Sequence, residues 1–289
     1  MTSGLGVALL FGTSDGQEIW GEPKPLGPPV NTHDCEICPV LTPDLGHLFF
    51  GRADTSARYW IWHAVRTATG WGDPERLPEP VNTLKGLELP CAAETIGEAI
   101  RLYFCSQRPG GLGGADIWFS DLRDGTWGPA QNLGPPINSP GHECGISFSN
   151  QGKQAVFMSD RGDAPTMHNL LVVRRVENGW GEPERMPPSV NTSFSEQKPS
   201  LTEDGNTLYF TRCGPGFPHP VRIYFTVRGK GLWGQAQEVP PPIFDAPYDC
   251  ENPWVSPDGQ MLYFDSSRPG CIGKSDLWSG KRAMEGRKP

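Results

Sequence analysis

Glu251-Asn252-Pro253-Trp254-Val255-Ser256-Pro257-Asp258-Gly259 leads into Met261-Leu262-Tyr263-Phe264, then into Ser267-Arg268-Pro269-Gly270 and Ser275-Asp276-Leu277-Trp278. Ser-Pro-Asp-Gly is turn chemistry, because proline presets φ and Asp-Gly tolerates the positive φ of a tight turn. The aliphatic and aromatic residues on either side therefore read as strands joined by a hairpin. The same parts stand upstream as Leu102-Tyr103-Phe104, Arg108-Pro109-Gly110-Gly111-Leu112-Gly113-Gly114, Asp116-Ile117-Trp118, and Trp127-Gly128-Pro129 running on to Ile137-Asn138. One unit thus holds four strands.

The unit is written five times. Trp-Gly recurs at Trp20, Trp71, Trp127, Trp180 and Trp233, in steps of 51, 56, 53 and 53 residues. A glutamate recurs out of phase with it at Glu36, Glu88, Glu143, Glu196 and Glu251, in steps of 52, 55, 53 and 55. Fixed-period repetition at this length marks a propeller or solenoid whose units cannot bury their apolar faces alone. The expected fold is all-β, a single five-bladed β-propeller of four-stranded blades. The blades fall at about 33–82, 83–138, 139–191, 192–244, and 245–282 completed by 17–32.

Ser-Pro-Asp-Gly, Leu-Tyr-Phe and Asp-Ile-Trp resemble the WD40-like repeat of the PD40 and TolB group, over nearly the whole chain from about Trp20 to Trp278. The resemblance implies a propeller and leaves function open, since such blades serve in scaffolds, peptidases and lyases. Repeat one departs from it with Tyr59-Trp60-Ile61-Trp62 and no glycine-rich turn, and repeat three with Asn150-Gln151-Gly152 in place of Pro-Asp-Gly. Nothing like Trp-Gly-x-Pro follows Trp278, whereas Glu18-Ile19-Trp20-Gly21-Glu22-Pro23 opens the chain. The first strand is expected to complete the last blade, closing the ring and removing the open edges.

Composition agrees with one all-β domain. The 36 Gly and 31 Pro, about 23% together, are spread through every repeat as turns and stay below the level of low-complexity chains. A net charge of −8 without a basic stripe speaks against nucleic acid as a partner. Val7 to Phe11 is too short for a membrane span and has no basic residues before it, so the expectation is a cytoplasmic chain without a membrane partner. Eight cysteines without an export signal then read as thiols or ligands rather than a disulfide framework.

Chemistry is expected where loops enter the innermost strands around the channel mouth. These read Asn31-Thr32-His33-Asp34-Cys35-Glu36-Ile37-Cys38, Asn138-Ser139-Pro140-Gly141-His142-Glu143-Cys144 and Asp245-Ala246-Pro247-Tyr248-Asp249-Cys250-Glu251, and Cys91 follows Glu88 by three. Thiolates and imidazoles suit zinc or another transition metal. Cys35-x-x-Cys38 is half of a zinc pattern, and on a strand residues three apart face opposite ways. The alternative for each cysteine is a small buried hydrophobe, and for each histidine a solvated loop residue.

The repeated glutamate has two readings. As a ring facing the axis it would need a cation, for which calcium is suited, or raised pKa values. As a unit-wide feature it is a buried carboxylate taking backbone hydrogen bonds, the reading that symmetry favours. Arg52, Arg108, Arg161, Arg212 and Arg268 also follow the repeat and read as ion-pair or turn-carbonyl partners. Trp71, Trp127, Trp180 and Trp233 read as packing between blades. Trp60, Trp62 and Trp254 lie outside that position and suit either core or a sugar-binding surface. Gly110 to Gly114 is a turn, and no nucleophile elbow or phosphate loop occurs.

The leading expectation is a propeller that binds a metal ion or small ligand at the mouth of its channel, with metal-assisted lyase or hydrolase chemistry as its catalytic form. There His33, Cys35, His142, Cys144 and Cys250 hold the metal, Glu36, Glu143 or Glu251 moves the proton, and Asp34, Glu88, Cys91, Glu196 and Asp249 complete the ligand lining. The runner-up is a non-catalytic module presenting a face to a protein or glycan. The third reading is a carbohydrate-active enzyme working through axial carboxylates about 5 to 10 Å apart.

Overall fold

A computed structural model describes residues 19–84, 87–149, 151–162, 167–214, 221–244 and 247–283. Every regular element among them is a strand, and none is a helix that could cross a membrane. The turn chemistry acts as its residues require. Thr42 and Asp44 hydrogen-bond through their side chains at 2.5 Å, and Asp44 also takes the Gly46 amide at 3.0 Å. Thr202 with Asp204 and Ser256 with Asp258 repeat the arrangement. Asn150 of the expected repeat-three turn lies outside the described residues, while Gln151 and Gly152 turn with positive φ.

The strands form five antiparallel sheets. The innermost are Glu36–Leu41, Leu89–Ile96, Glu143–Ser149, Ser195–Leu201 and Cys250–Val255, each followed outward by its hairpin partner and a third strand. In blades one to four the outer strand is split into two short pieces, such as Gly70–Trp71 and Glu75–Arg76. Blade five takes its outer strand from the start of the chain: Lys24 pairs with Ser279, Pro25 with Trp278, and Trp20 bridges Arg282. The ring is closed as expected, although Glu18 of that opening stretch lies outside the described residues.

The tryptophans fasten blade to blade. Trp127 of blade two meets Phe49 of blade one edge-on at 6.0 Å, and Trp20 in blade five meets Tyr209 of blade four at 6.2 Å. Trp71 is buried against Tyr263 and Leu277 of blade five. The Val-Asn pairs act as clips, because Asn31, Asn82, Asn138 and Asn191 each exchange two hydrogen bonds with one residue of a third strand. Phe244 stands where a fifth asparagine would be. That substitution is the first sign that blade five departs from the pattern at the channel mouth.

Candidate functional site at the channel

The repeated glutamates are structural in four blades. Glu36 accepts from Thr32 Oγ1 at 2.6 Å and Arg52 Nε at 2.8 Å, and Glu196 from Thr192 at 2.7 Å and Arg212 at 2.9 Å. Glu143 meets Ser139, Ser159 and Arg161, and Glu88 meets Thr83, Ser106 and Arg108. All four are buried. Each arginine reaches on to carbonyls of the loop before the inner strand, such as Val30 for Arg52 and Val190 for Arg212. All four thus stand in the frame that holds the entering loops: Glu36 and Glu143, expected to move a proton, and Glu88 and Glu196, expected in the ligand lining.

Blade five is offset by one residue. The residue facing Arg268 there is Cys250, whose Sγ lies 3.0 Å from Nη2, and Cys250 pairs with Ser266 as Glu143 pairs with Ser159. Glu251 is therefore not the fifth member of the set. Because side chains alternate along a strand, it stands on the opposite face from the Glu–Arg layer.

That face is built from positions that do not repeat. Register pairs Ile37 with Gly51, Leu89 with Cys105, Gln197 with Thr211 and Glu251 with Asp265, and Cys144 with Met158. The next residues inward sit in bulges, where Cys38, Gly145, Lys198 and Asn252 all have positive φ. Cys91 occupies the bulge of blade two. Non-glycine residues held in this conformation mark a backbone constrained by its surroundings, as at functional sites. The bulges are tied across blades: Cys38 N–H donates to Asp265 at 2.9 Å, Gly145 N–H to Cys91 Sγ at 3.3 Å, and Asn252 N–H to Thr211 Oγ1 at 2.9 Å.

The ring is polarised. Blades four and five supply Lys198, Glu251, Asp265 and Cys213, whereas blades one to three supply mostly sulfur and apolar groups. Burial and then Asp249 push Glu251 up to about 7, with Lys198 pulling the other way. Asp265, 2% exposed, is pushed well above the carboxylate range by burial and by Glu251. Burial lowers the Lys198 ammonium, but Cys38, Cys91 and Asp265 beside it raise it further, and the net shift is upward. The thiols of Cys38 and Cys213 are pushed by burial to about 12 and about 11. A carboxyl balanced near neutrality beside a fixed cation is the pattern expected of an acid–base group.

The expected metal ligands are not brought to one point. His33 and Asp34 are exposed, and Cys35 is half-buried with its Sγ 3.5 Å from the Tyr59 hydroxyl. His142 accepts from the Ala115 amide at 3.3 Å, and its ring meets that of His168. Asp249 accepts from the Val221 amide at 2.7 Å. Cys144 is bonded to Cys105, and Cys250 faces Arg268. Among the described residues the one set of three metal-type donors lying within 4.8 Å of one another is Cys91, Cys105 and Cys144. The disulfide also departs from the all-thiol expectation: it joins two sulfurs that packing of adjacent blades places face to face.

At the level of the bulges the channel narrows to a cavity of about 40 Å³ bordered by Cys38, Cys91, Gly145, Lys198 and Asn252. That holds a water molecule or an ion, not a sugar. Beyond it, on the face carrying the hairpin turns, a cleft of about 680 Å³ opens, within the range of ligand pockets. Its lining includes Glu94, Arg101, Tyr103, Phe148, Glu203 and Trp254. Glu94 takes the Tyr103 hydroxyl at 2.8 Å and is pushed up by burial. Trp60, in contrast, is buried under Arg76, and Trp62 lies beneath Arg52.

No family model matches the chain, and no curated protein matches it. Solved structures do, most of them glycoside hydrolases. The GH43 endo-arabinanase from Bacillus licheniformis is 12% identical with a TM-score of 0.56, over 88% of this chain and 94% of that one. The α-L-arabinofuranosidase from Lactobacillus brevis is 10% identical with a TM-score of 0.57, over 89% and 92%. A putative TolB from Agrobacterium tumefaciens is 16% identical with a TM-score of 0.48, over 84% and 73%. At these identities the likeness is one of fold, and chemistry has to be argued from the site.

Proposed function

We propose that the protein is an acid–base hydrolase or lyase of small polar substrates, with Glu251 as the group that moves the proton. The observation that carries this is the offset in blade five: Cys250 takes the structural place against Arg268, and Glu251 stands beside Lys198 and Asp265 with a pKa near 7. Lys198 steadies negative charge developing on a substrate, and burial together with the neighbouring Asp249 lets Glu251 keep its proton up to about pH 7. Glycosidic bonds are the first substrates to try, since two neighbours are named as an endo-arabinanase and an α-L-arabinofuranosidase.

The test is turnover of a panel of aryl glycosides and aryl esters by the wild-type chain, Glu251→Gln and Glu94→Gln. General acid–base catalysis contributes about 10²- to 10⁴-fold, so Glu251→Gln should lose that much while its fold remains. Turnover unchanged in Glu251→Gln refutes the assignment.

A second reading has its own observation. The 680 Å³ cleft offers the partly exposed Trp254 and Phe148 as aromatic faces beside Glu94 and Glu203, which suits a non-catalytic glycan-binding surface. Trp254→Ala should then weaken retention on a glycan array, and unchanged retention dismisses it.

A further inference from the structure

Between blades two and three, three sulfurs converge. Cys105 is the last residue but one of its hairpin strand, opposite Leu89, Cys144 is the second residue of the inner strand of the next blade, and Cys91 sits in the bulge of blade two. Cys105 and Cys144 form a disulfide, and Cys91 Sγ lies within 4.8 Å of both. None of the three positions follows the repeat. The residue after the repeated phenylalanine is Cys105 in blade two but Gly51, Met158, Thr211 and Asp265 in the other blades. A residue needed only to pack a propeller would not require three sulfurs at one junction.

Burial pushes the Cys91 thiol up, while a cation and backbone N–H groups around the sulfurs pull the other way. Gly145 N–H points at Cys91 Sγ at 3.3 Å, and Lys198 Nζ lies 3.5 Å from Cys144 Sγ. Cys91 borders the cavity of about 40 Å³, which gives an ion a place to stand before it is ligated. Three sulfurs around one ion at the zinc–sulfur distance of about 2.3 Å lie roughly 3.8 Å apart, so a modest separation of Cys105 from Cys144 completes the set.

We propose that, when the Cys105–Cys144 disulfide is reduced, Cys91, Cys105 and Cys144 form a three-thiolate site for a thiophilic ion, Zn²⁺ or Cu⁺. A dithiol or phosphine reductant supplies two electrons, and two protons convert the disulfide to two thiols. The ion then displaces the protons of all three thiols as three metal–sulfur bonds form. With Zn²⁺ the assembly carries one net negative charge, which the Lys198 ammonium offsets. Reoxidation by a disulfide oxidant removes two of the ligands and releases the ion, so the site holds metal only in the reduced chain.

The test uses the full chain, reduced with a phosphine and freed of reductant, then titrated with Cd²⁺ while the thiolate-to-cadmium charge-transfer absorbance is followed. Expected is a band saturating near one equivalent in the reduced wild type and in Cys35→Ser. It should be absent in the oxidised wild type, whose fold needs no separate check, and absent at one equivalent in Cys91→Ser, whose fold is verified by thermal melt. Displacement of Cd²⁺ by Zn²⁺ should abolish the band. No band in the reduced wild type, equal binding by the oxidised chain, or an undiminished band in folded Cys91→Ser overturns the proposal.

Discussion

Cys250 Sγ lies 3.0 Å from Nη2 of Arg268, in the place that carboxylates occupy against arginine in the other four blades. Arg268 keeps the carbonyls of Pro242 and Ile243 and the Ser266 hydroxyl, so the fifth loop is still held without a carboxylate. Shifting the glutamate by one residue then turns it from frame to channel, since a strand reverses its faces with each residue. One substitution thus links the stability of blade five to the placing of Glu251 in the channel.

Removing a frame carboxylate should be costly. Glu196→Ala leaves Arg212 buried without its counter-charge, and breaking a buried pair from one side costs about 3–5 kcal/mol. Cys250→Ala removes only a thiol from Arg268 and should cost less. Urea unfolding of both variants checks this, and a Glu196→Ala loss below that of Cys250→Ala contradicts the assignment of frame and exception.

Ring closure should be cooperative. Deleting residues through Asn31 removes the strand paired with Asp276–Lys281, the Trp20 contact with Tyr209 and the Asn31 clip on Leu277. The edge so exposed lowers the stability of the whole ring, not of one blade. The expected result is a single thermal transition at lower temperature, and an unchanged Tm refutes the closure.

The fold was legible because its signals are local and repeated. Turn residues and the Val-Asn clips act over short stretches of chain, Trp-Gly marks the contact between blades once per unit, and the repetition exposes the pattern. The site was legible only in part. Counting placed Glu251 in the glutamate series, because the loop before it carries one residue more than the loops of blades one, three and four, and a step of 55 conceals the slip. The variable residue after each Phe, which yields Cys105 and Asp265, was in view in the sequence, but strand register was needed to show that it faces the inner bulges. Lys198 carries no local signal and Cys38 only half of a zinc pattern, since their left-handed backbone is imposed from across the ring. Glu94 and Glu203 read as ordinary surface charge beside turns until the cleft between them is seen.

The His47–His63 pair should make the protein sensitive to mild acid. His47 Nδ1 lies 2.8 Å from His63 Nε2, and the rings stack at 5.1 Å with Phe49 beyond. Burial, then His47, pushes His63 down to about 4, and burial lowers His47 as well. The unfolded chain takes up protons below about 6.5 that the folded pair refuses, so this stability is present above about 6.5 and is lost as pH falls toward 4. His63→Phe keeps a ring on Phe49 but takes no proton there. Its urea midpoint should fall less between pH 6.5 and 4 than that of the wild type, and an equal fall excludes the pair as the cause.

Glu251 should act in the opposite direction. Its carboxyl is protonated in both states below about 4.5, but between there and about 7 the unfolded chain releases a proton that the folded channel retains. Its contribution is therefore full at low pH and is lost as pH rises through about 7. Glu251→Gln stays neutral in both states and lacks this loss, so the stability of wild type minus variant should decline steadily from pH 4.5 to 7 and then level off. The difference curve removes the histidine contribution, which is common to both proteins and runs the other way. Urea midpoints measured at half-unit pH steps give the curve. Parallel profiles for the two proteins would mean that Glu251 is not held protonated, and the acid–base reading of the channel would lose the group on which it rests.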